Sequence, residues 1–121
     1  MLVLPIKKKW FDMIKSGEKK EEYREIKPYY DSRFKDTCYI NGIPAMKMLR
    51  TREFIIFRNG YSKNSPSIKC NVTLEVNYGV EEWGAEPNKL YYVLKILSVE
   101  EICSPIEKLW CDYIIGDSAH E

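Results

Sequence analysis

Histidine is scarce in this sequence, and so are the cysteine pairs that commonly build metal and redox sites. The single histidine, His120, cannot supply a Ser-His-Asp triad or a histidine-rich metal site. The four cysteines, Cys38, Cys70, Cys103 and Cys111, include no Cys-x-x-Cys pair. We therefore expect no metal and no cofactor, and we interpret the thiols as reduced, half-buried small hydrophobes.

Long apolar runs and an excess of charge of one sign are also missing. The apolar residues 2–6 are followed immediately by Lys7, Lys8 and Lys9, and no span reaches the length of a transmembrane helix. These absences predict a cytoplasmic protein with no membrane partner. Because 19 Lys and Arg nearly balance 18 Asp and Glu, the chain as a whole has almost no attractive field. An anionic partner would have to be held by a local patch.

What is present is the composition of one folded domain. The chain has 121 residues, of which 45% are hydrophobic and 31% are charged, and this predicts a single globular domain over 1–121. Apolar residues at helical spacing predict a short helix that ends at Gly17, where a left-handed C-cap is wanted. Pro28 opens a further turn or two of helix over 29–34, and an amphipathic pattern over 105–115 predicts a C-terminal helix.

Strands are predicted for the charged segment 18–26, which has no helical apolar stripe, and for three later runs rich in β-forming residues, at 53–58, 68–78 and 90–99. Asn41 and Gly42 mark a turn, while 45–50 is compatible with a short helix or a loop. Short helices near both ends and strands in the middle predict an α+β fold. Its strands, mixed but mostly antiparallel, are numerous enough to close a small β-barrel.

The densest group of charged residues is 17–24, where the first helix is followed directly by a strand. On a strand, Lys20, Glu22 and Arg24 would point to one face, about 6–7 Å apart. Such a row can bind an anion or a base edge, with Arg24 as a planar fork and Glu22 orienting it or acting as an acid or base. Lys19 or Lys20 is a candidate nucleophile, although the neighbouring glutamates favour the charged ammonium. The alternative is a solvated edge strand.

A second candidate group, Arg58, Asn59, Gly60 and Tyr61, lies at a strand end and a tight turn. A guanidinium, an amide and an aromatic ring are the groups that stack on and read a nucleobase. The alternative is an ordinary Asn-Gly turn with Tyr61 at the edge of the core.

The segment 9–24 resembles the N-terminal signature of the ASCH family. In that signature a short helix ends in Gly-x-Lys and is followed by a strand that bears Glu-x-Arg, and it is matched by Gly17, Lys19, Glu22 and Arg24. Further stretches are similar to a small stand-alone branch of the family found in phage and bacterial genomes, at 27–30, 57–61, 82–85 and 92–96. The resemblance covers the chain from residue 2 to about residue 98.

This resemblance implies a PUA-like β-barrel with a cleft beside the Gly-x-Lys strand, and a role in binding RNA or a modified nucleotide. Some members of the family are enzymes, of which one group removes acyl groups from acetylated cytidine and others are reported to degrade RNA. The amidohydrolase site contains a Lys, a Thr three residues later and a separate Glu. Lys19 matches the Lys, but Glu22 occupies the Thr position, where a carboxylate would tend to keep Lys19 protonated.

The residues and the resemblance together lead to three hypotheses. The first is a domain that binds RNA or a nucleotide-like small molecule through Lys19, Lys20, Glu22, Arg24, Arg58, Asn59 and Tyr61. The second is a hydrolase acting on a modified nucleoside or on RNA, with Lys19 as base or nucleophile and Glu22 as its partner. The third is a protein-interaction module, which would present an exposed apolar patch away from 17–24.

Overall fold

The computed structural model describes residues 2–102. In chain order the elements are β1 (Leu2–Pro5), α1 (Lys8–Ser16), β2 (Glu21–Glu25), α2 (Pro28–Phe34), β3 (Lys35–Ile40), β4 (Ile43–Leu49), β5 (Arg52–Arg58), β6 (Ser67–Tyr78), a 3-10 helix (Glu81–Trp83) and β7 (Leu90–Ile102). The helix predicted at 105–115 lies outside the described residues, as do Cys103 and Cys111.

The main sheet is a curled half-barrel of five strands in the order β1-β5-β6-β7-β2, and β3 and β4 form a separate two-stranded sheet. β1 runs parallel to β5, and the other neighbouring strands are antiparallel. The predicted α+β class with mixed, mostly antiparallel strands is therefore confirmed. Within residues 2–102 the sheet does not close, because β1 and β2 are its two edges and do not pair with each other.

α1 ends, and α2 begins and ends, where the sequence predicts. α1 ends at Gly17, which has a φ of 86° and donates its N–H to the Ile14 carbonyl. α2 begins at Pro28, where a missing N–H is tolerated because the first turn has no partner for it. Phe11 of α1 and Phe34 of α2 are buried in the same core as the strand residues. None of the helices in the described part of the chain is long and apolar enough to cross a lipid bilayer.

The core is built from alternate residues of the two long strands. Ile68, Cys70 and Val72 on β6 are fully buried, as are Tyr92 and Leu94 on β7. A spacing of two residues places each set on one face of the sheet, and burying a large apolar side chain contributes roughly 1.5–3 kcal/mol. Burial also raises the pKa of the Cys70 thiol to about 12, so this cysteine acts as a core hydrophobe.

The segment 45–50, for which the sequence allowed a helix or a loop, lies mostly in β4. This strand pairs with β3 across a turn in which Asn41 and Gly42 have φ values of 52° and 78°. Two successive positive φ angles are typical of a type I′ turn, which matches the twist of a hairpin. The prediction was wrong because Ala, Met, Lys and Leu favour helix locally, whereas the turn and the pairing with 35–40 decide for a strand.

The β3–β4 hairpin is also the most exposed apolar part of the described chain. Its exposed large side chains are between 54% and 67% accessible, and they are Tyr39, Ile40, Ile43, Met46 and Met48. An exposed apolar surface away from 17–24 is what the interaction-module hypothesis requires. The surface belongs to the small two-stranded sheet and not to the half-barrel.

Candidate ligand-binding cleft

A cleft of about 350 Å³ lies between the two edges of the half-barrel, β1 and β2. Its walls come from five separate parts of the fold. They are 5–7 at the end of β1, Trp10 of α1, 22–25 of β2, Lys27 and Tyr30 at α2, and Trp83 and Gly84 at the 3-10 helix. The cleft exists because β1 and β2 do not pair, so that their separation leaves an opening in the sheet. The volume is at the lower end of the range of small-molecule sites.

Three charged side chains form a continuous row beside this cleft. Glu22 lies in the middle, with its Oε1 atom 3.2 Å from Lys19 Nζ and its Oε2 atom accepting a 2.8 Å hydrogen bond from Arg24 Nη2. The side chains of Lys19, Glu22 and Arg24 are 0%, 8% and 11% exposed. Two cations share one carboxylate, so the row has an excess of one positive charge in surroundings that screen it poorly.

The ammonium group of Lys19 is enclosed on several sides. Its Nζ also donates to the Trp83 carbonyl and lies 4.7 Å from the centre of the Trp10 ring and 4.9 Å from that of Tyr23. Burial lowers the pKa of Lys19, and this effect outweighs the Glu22 carboxylate, which acts to raise it. The direction is opposite to the sequence expectation, because neighbouring carboxylates can be counted in the sequence but the burial of the amine cannot.

Arg24 connects the two edges of the half-barrel. From β2 its Nη2 atom donates to the Pro5 carbonyl of β1 at 2.9 Å, and its Nη1 atom donates to the Tyr30 hydroxyl at 3.2 Å. Its Nε atom is buried and meets no acceptor within residues 2–102. A buried donor without an acceptor costs free energy, which the three hydrogen bonds of the other two nitrogens, to Glu22, Pro5 and Tyr30, act against.

Aromatic residues from four elements line the cleft, namely Trp10, Tyr23, Tyr30 and Trp83. The Tyr30 ring is held by Phe34, with ring centres 5.6 Å apart and planes 15° from parallel. Gly84 has a φ of 102°, and a Cβ atom there would lie 3.0 Å from the Trp10 ring, so glycine allows the close approach of the indole. Aromatic walls beside cationic groups suit a planar ligand such as a nucleobase.

The side chains that line the cleft carry a local excess of positive charge. They are Lys7, Arg24 and Lys27 against Glu22 and Glu25, an excess of one, and the buried amine of Lys19 lies behind Glu22. The formal net charge of the entire sequence is also only +1. These cleft side chains are the local patch that an anionic partner of a nearly neutral chain requires.

Lys20 is separate from this arrangement. β2 begins at Glu21, and the Lys20 carbonyl still accepts a 2.9 Å hydrogen bond from Ile96 N–H of β7, but the Lys20 side chain is exposed and does not line the cleft. A Cβ atom built on Gly17 would lie 3.7 Å from Lys20 Nζ, which places that amine beside the end of α1. The lysine that reaches Glu22 is Lys19, one residue earlier.

The second candidate group faces a different hollow. Asn59 and Tyr61 line a depression of about 380 Å³ that shares only the segment 5–7 with the cleft, and Arg58 lines neither of the two. The Asn59 side chain donates to the Ile6 carbonyl at 3.0 Å, and Tyr61 is 94% exposed. The two groups that the sequence singles out therefore lie at neighbouring hollows instead of at one shared cleft.

Sequence reasoning missed Lys7, Trp10, Lys27 and Tyr30 as cleft residues. They come from two stretches that are distant from each other in the chain, and the fold brings them to the same opening. The available signal was the presence of lysine close to aromatic residues at 7–10 and 27–30, since nucleic-acid-binding surfaces combine basic and aromatic side chains.

Comparisons with models of protein families, with curated proteins and with solved structures found no match. The ASCH resemblance and the PUA-like details of the barrel therefore stay predictions. Independently of them, the fold has an opening beside the strand that carries Glu22 and Arg24.

Proposed function

We propose that the chain is an ASCH-like domain whose cleft binds a nucleotide or RNA. The observation that carries the proposal is the buried row of Lys19, Glu22 and Arg24, in which two cations share one carboxylate. The remaining positive charge attracts a phosphate group, because the cleft wall has a low effective dielectric constant and the charge is weakly screened.

The rest of the cleft supports the same class of ligand. Lys7 and Lys27 are exposed at its rim, where each can contact a phosphate oxygen as a point charge. Trp10 and Tyr30 offer rings beside these cations, and stacking on such rings tolerates every base. We therefore expect affinity that falls steeply with salt concentration and depends only weakly on base identity.

A hydrolase acting on a modified nucleoside or on RNA is a second candidate, because the lowered pKa of Lys19 favours it. An amine with a lowered pKa is a better base or nucleophile at neutral pH. However, the Lys19 side chain is 0% exposed, and its Nζ atom is held by Glu22 and by the Trp83 carbonyl. A substrate would reach this amine only after one of those groups had moved, so the geometry favours binding over turnover.

Isothermal titration calorimetry with adenosine 5′-monophosphate and a short single-stranded RNA tests the first candidate. Lys27→Ala removes an exposed rim cation, and Lys47→Ala on the exposed hairpin is the matched control. We expect Lys27→Ala to weaken binding severalfold and to reduce the slope of log affinity against log salt by about 0.7 for a single strand. Lys47→Ala should change neither quantity.

Failure of the wild-type protein to bind either ligand at about 50 mM salt would show the binding proposal to be wrong. The hydrolase candidate is tested by incubating the protein with N4-acetylcytidine or RNA and analysing the products by mass spectrometry. Product formation that Lys19→Met abolishes would replace the binding function with a catalytic one.

A further inference from the structure

Two hollows flank the segment 5–7, and Lys7 lines both of them. One is the cleft of about 350 Å³ and the other is the depression of about 380 Å³ beside Asn59 and Tyr61. Each volume is near the lower limit for a small-molecule site, so each hollow has room for one small unit of a ligand. The exposed Lys7 side chain is thus a cation placed between two adjacent sites.

The segment that separates the hollows is fixed from both sides. From β2, Arg24 donates to the Pro5 carbonyl at 2.9 Å, and from the end of β5, Asn59 donates to the Ile6 carbonyl at 3.0 Å. The Ile6 N–H donates in turn to the Arg58 carbonyl at 2.9 Å. These three hydrogen bonds hold the backbone next to Lys7, so the spacing of the two hollows is set before any ligand arrives.

Tyr61 gives the second hollow a specific chemistry. Its ring is 94% exposed, although a large aromatic side chain normally gains free energy from burial. Tyr61 and Lys7 line the same hollow, and an exposed ring combined with a cation is what single-stranded nucleic acids use to stack a base and hold a phosphate.

We propose that the ligand is a single-stranded nucleic acid that occupies both hollows with successive nucleotides. The first nucleotide lies in the cleft, the phosphate that links it to the second pairs with Lys7, and the second base stacks on Tyr61. This inference rests on the proposed function of the cleft. It goes beyond it because a free mononucleotide would use only the first hollow.

Binding of adenosine 5′-monophosphate and of the 5′-phosphorylated dinucleotide pApA, compared by calorimetry on the full chain, tests the inference. We expect pApA to bind at least roughly 10-fold more tightly, because one base–aromatic stacking contact alone is of that size. Tyr61→Ala should lower the ratio of the two affinities by roughly 10-fold and leave only the gain from the linking phosphate, whereas Tyr39→Ala, a matched exposed tyrosine on the hairpin, should leave the ratio unchanged. The deoxyribose form of pApA, measured in parallel, distinguishes an RNA ligand from a DNA ligand.

Three outcomes would overturn the inference. If the monophosphate binds and pApA binds no better, the second hollow is not a nucleotide site, while the proposed function of the cleft stands. If Tyr61→Ala weakens both ligands equally, or leaves the pApA advantage intact, the second base does not stack on that ring. If neither ligand binds at low salt, the inference and the proposed function fail together. Lys7→Ala adds a second measurement, because loss of the linking-phosphate contact should weaken pApA more than it weakens adenosine 5′-monophosphate and should flatten the salt dependence of pApA by about 0.7 in slope.

Discussion

Replacing Glu22 with glutamine removes the carboxylate between Lys19 and Arg24 and keeps the shape of the side chain. Since the Lys19 side chain is 0% exposed, its ammonium group would be left buried without that anion. Removal of one partner of a buried ion pair lowers the free energy of unfolding by about 3–5 kcal/mol. The glutamine oxygen can still accept a hydrogen bond from Lys19, so we expect a loss at the lower end of this range, about 3 kcal/mol. For a chain of this size that corresponds to a fall in melting temperature of about 12 °C.

Urea denaturation at a series of pH values from neutral pH up to 10.5 measures this cost and its pH dependence. The pKa of Lys19 in the folded chain lies below its ordinary value of 10.5. At pH values between the folded pKa and 10.5, Lys19 is protonated in the unfolded chain and deprotonated in the folded chain, so the free energy of unfolding rises with pH. Without the Glu22 carboxylate the folded pKa falls further and this window opens at a lower pH. The cost of Glu22→Gln should therefore shrink as the pH rises.

Two control variants separate this mechanism from a general loss of charge. Glu25→Gln removes a carboxylate that is 57% exposed and paired only at the surface, so it should cost less than about 1 kcal/mol. In a Lys19→Met background, Glu22→Gln should cost less than in the wild type, because no buried ammonium is left behind. A cost near zero, a cost independent of pH, or an equal cost in both backgrounds would refute the buried pairing.

Two further substitutions test the packing around the cleft by urea denaturation. Gly84→Ala adds a Cβ atom at positive φ and 3.0 Å from the Trp10 ring, whereas Gly42→Ala adds one at positive φ in open space. We therefore expect Gly84→Ala to lower the free energy of unfolding by at least about 1 kcal/mol more than Gly42→Ala does. Equal losses would mean that the indole is not packed on Gly84. Tyr92→Phe removes a buried hydroxyl that donates to the Asp31 carboxylate and should cost about 1–2 kcal/mol. Burial first, and that hydrogen bond second, raise the pKa of Tyr92 to about 12. Between pH 10.0 and about 12 the unfolded chain therefore loses the phenolic proton before the folded chain does, so the free energy of unfolding falls with pH, and Tyr92→Phe should weaken this fall. An unchanged alkaline profile would contradict this assignment.

Local features of the fold could be predicted from the sequence alone. The end of α1 at Gly17, the start of α2 at Pro28 and the turn at Asn41 and Gly42 depend on the conformational preferences of a few neighbouring residues. The strand that carries Glu22 and Arg24 was predicted because its segment lacks a helical apolar stripe, and the strand at 68–78 because it is rich in β-forming residues, of which alternate ones are buried along 68–74.

The tertiary structure alone decided how these parts act together. The opening between β1 and β2 depends on which strands pair, and strand pairing is a non-local choice. The separation of Tyr61 from the cleft follows from the path of 5–7 between the two hollows. The pKa of Lys19 is lowered because residues far along the chain exclude water from its amine, including Trp83, which is 64 positions away. Desolvation is a property of the packed surroundings, and no short stretch of sequence specifies it.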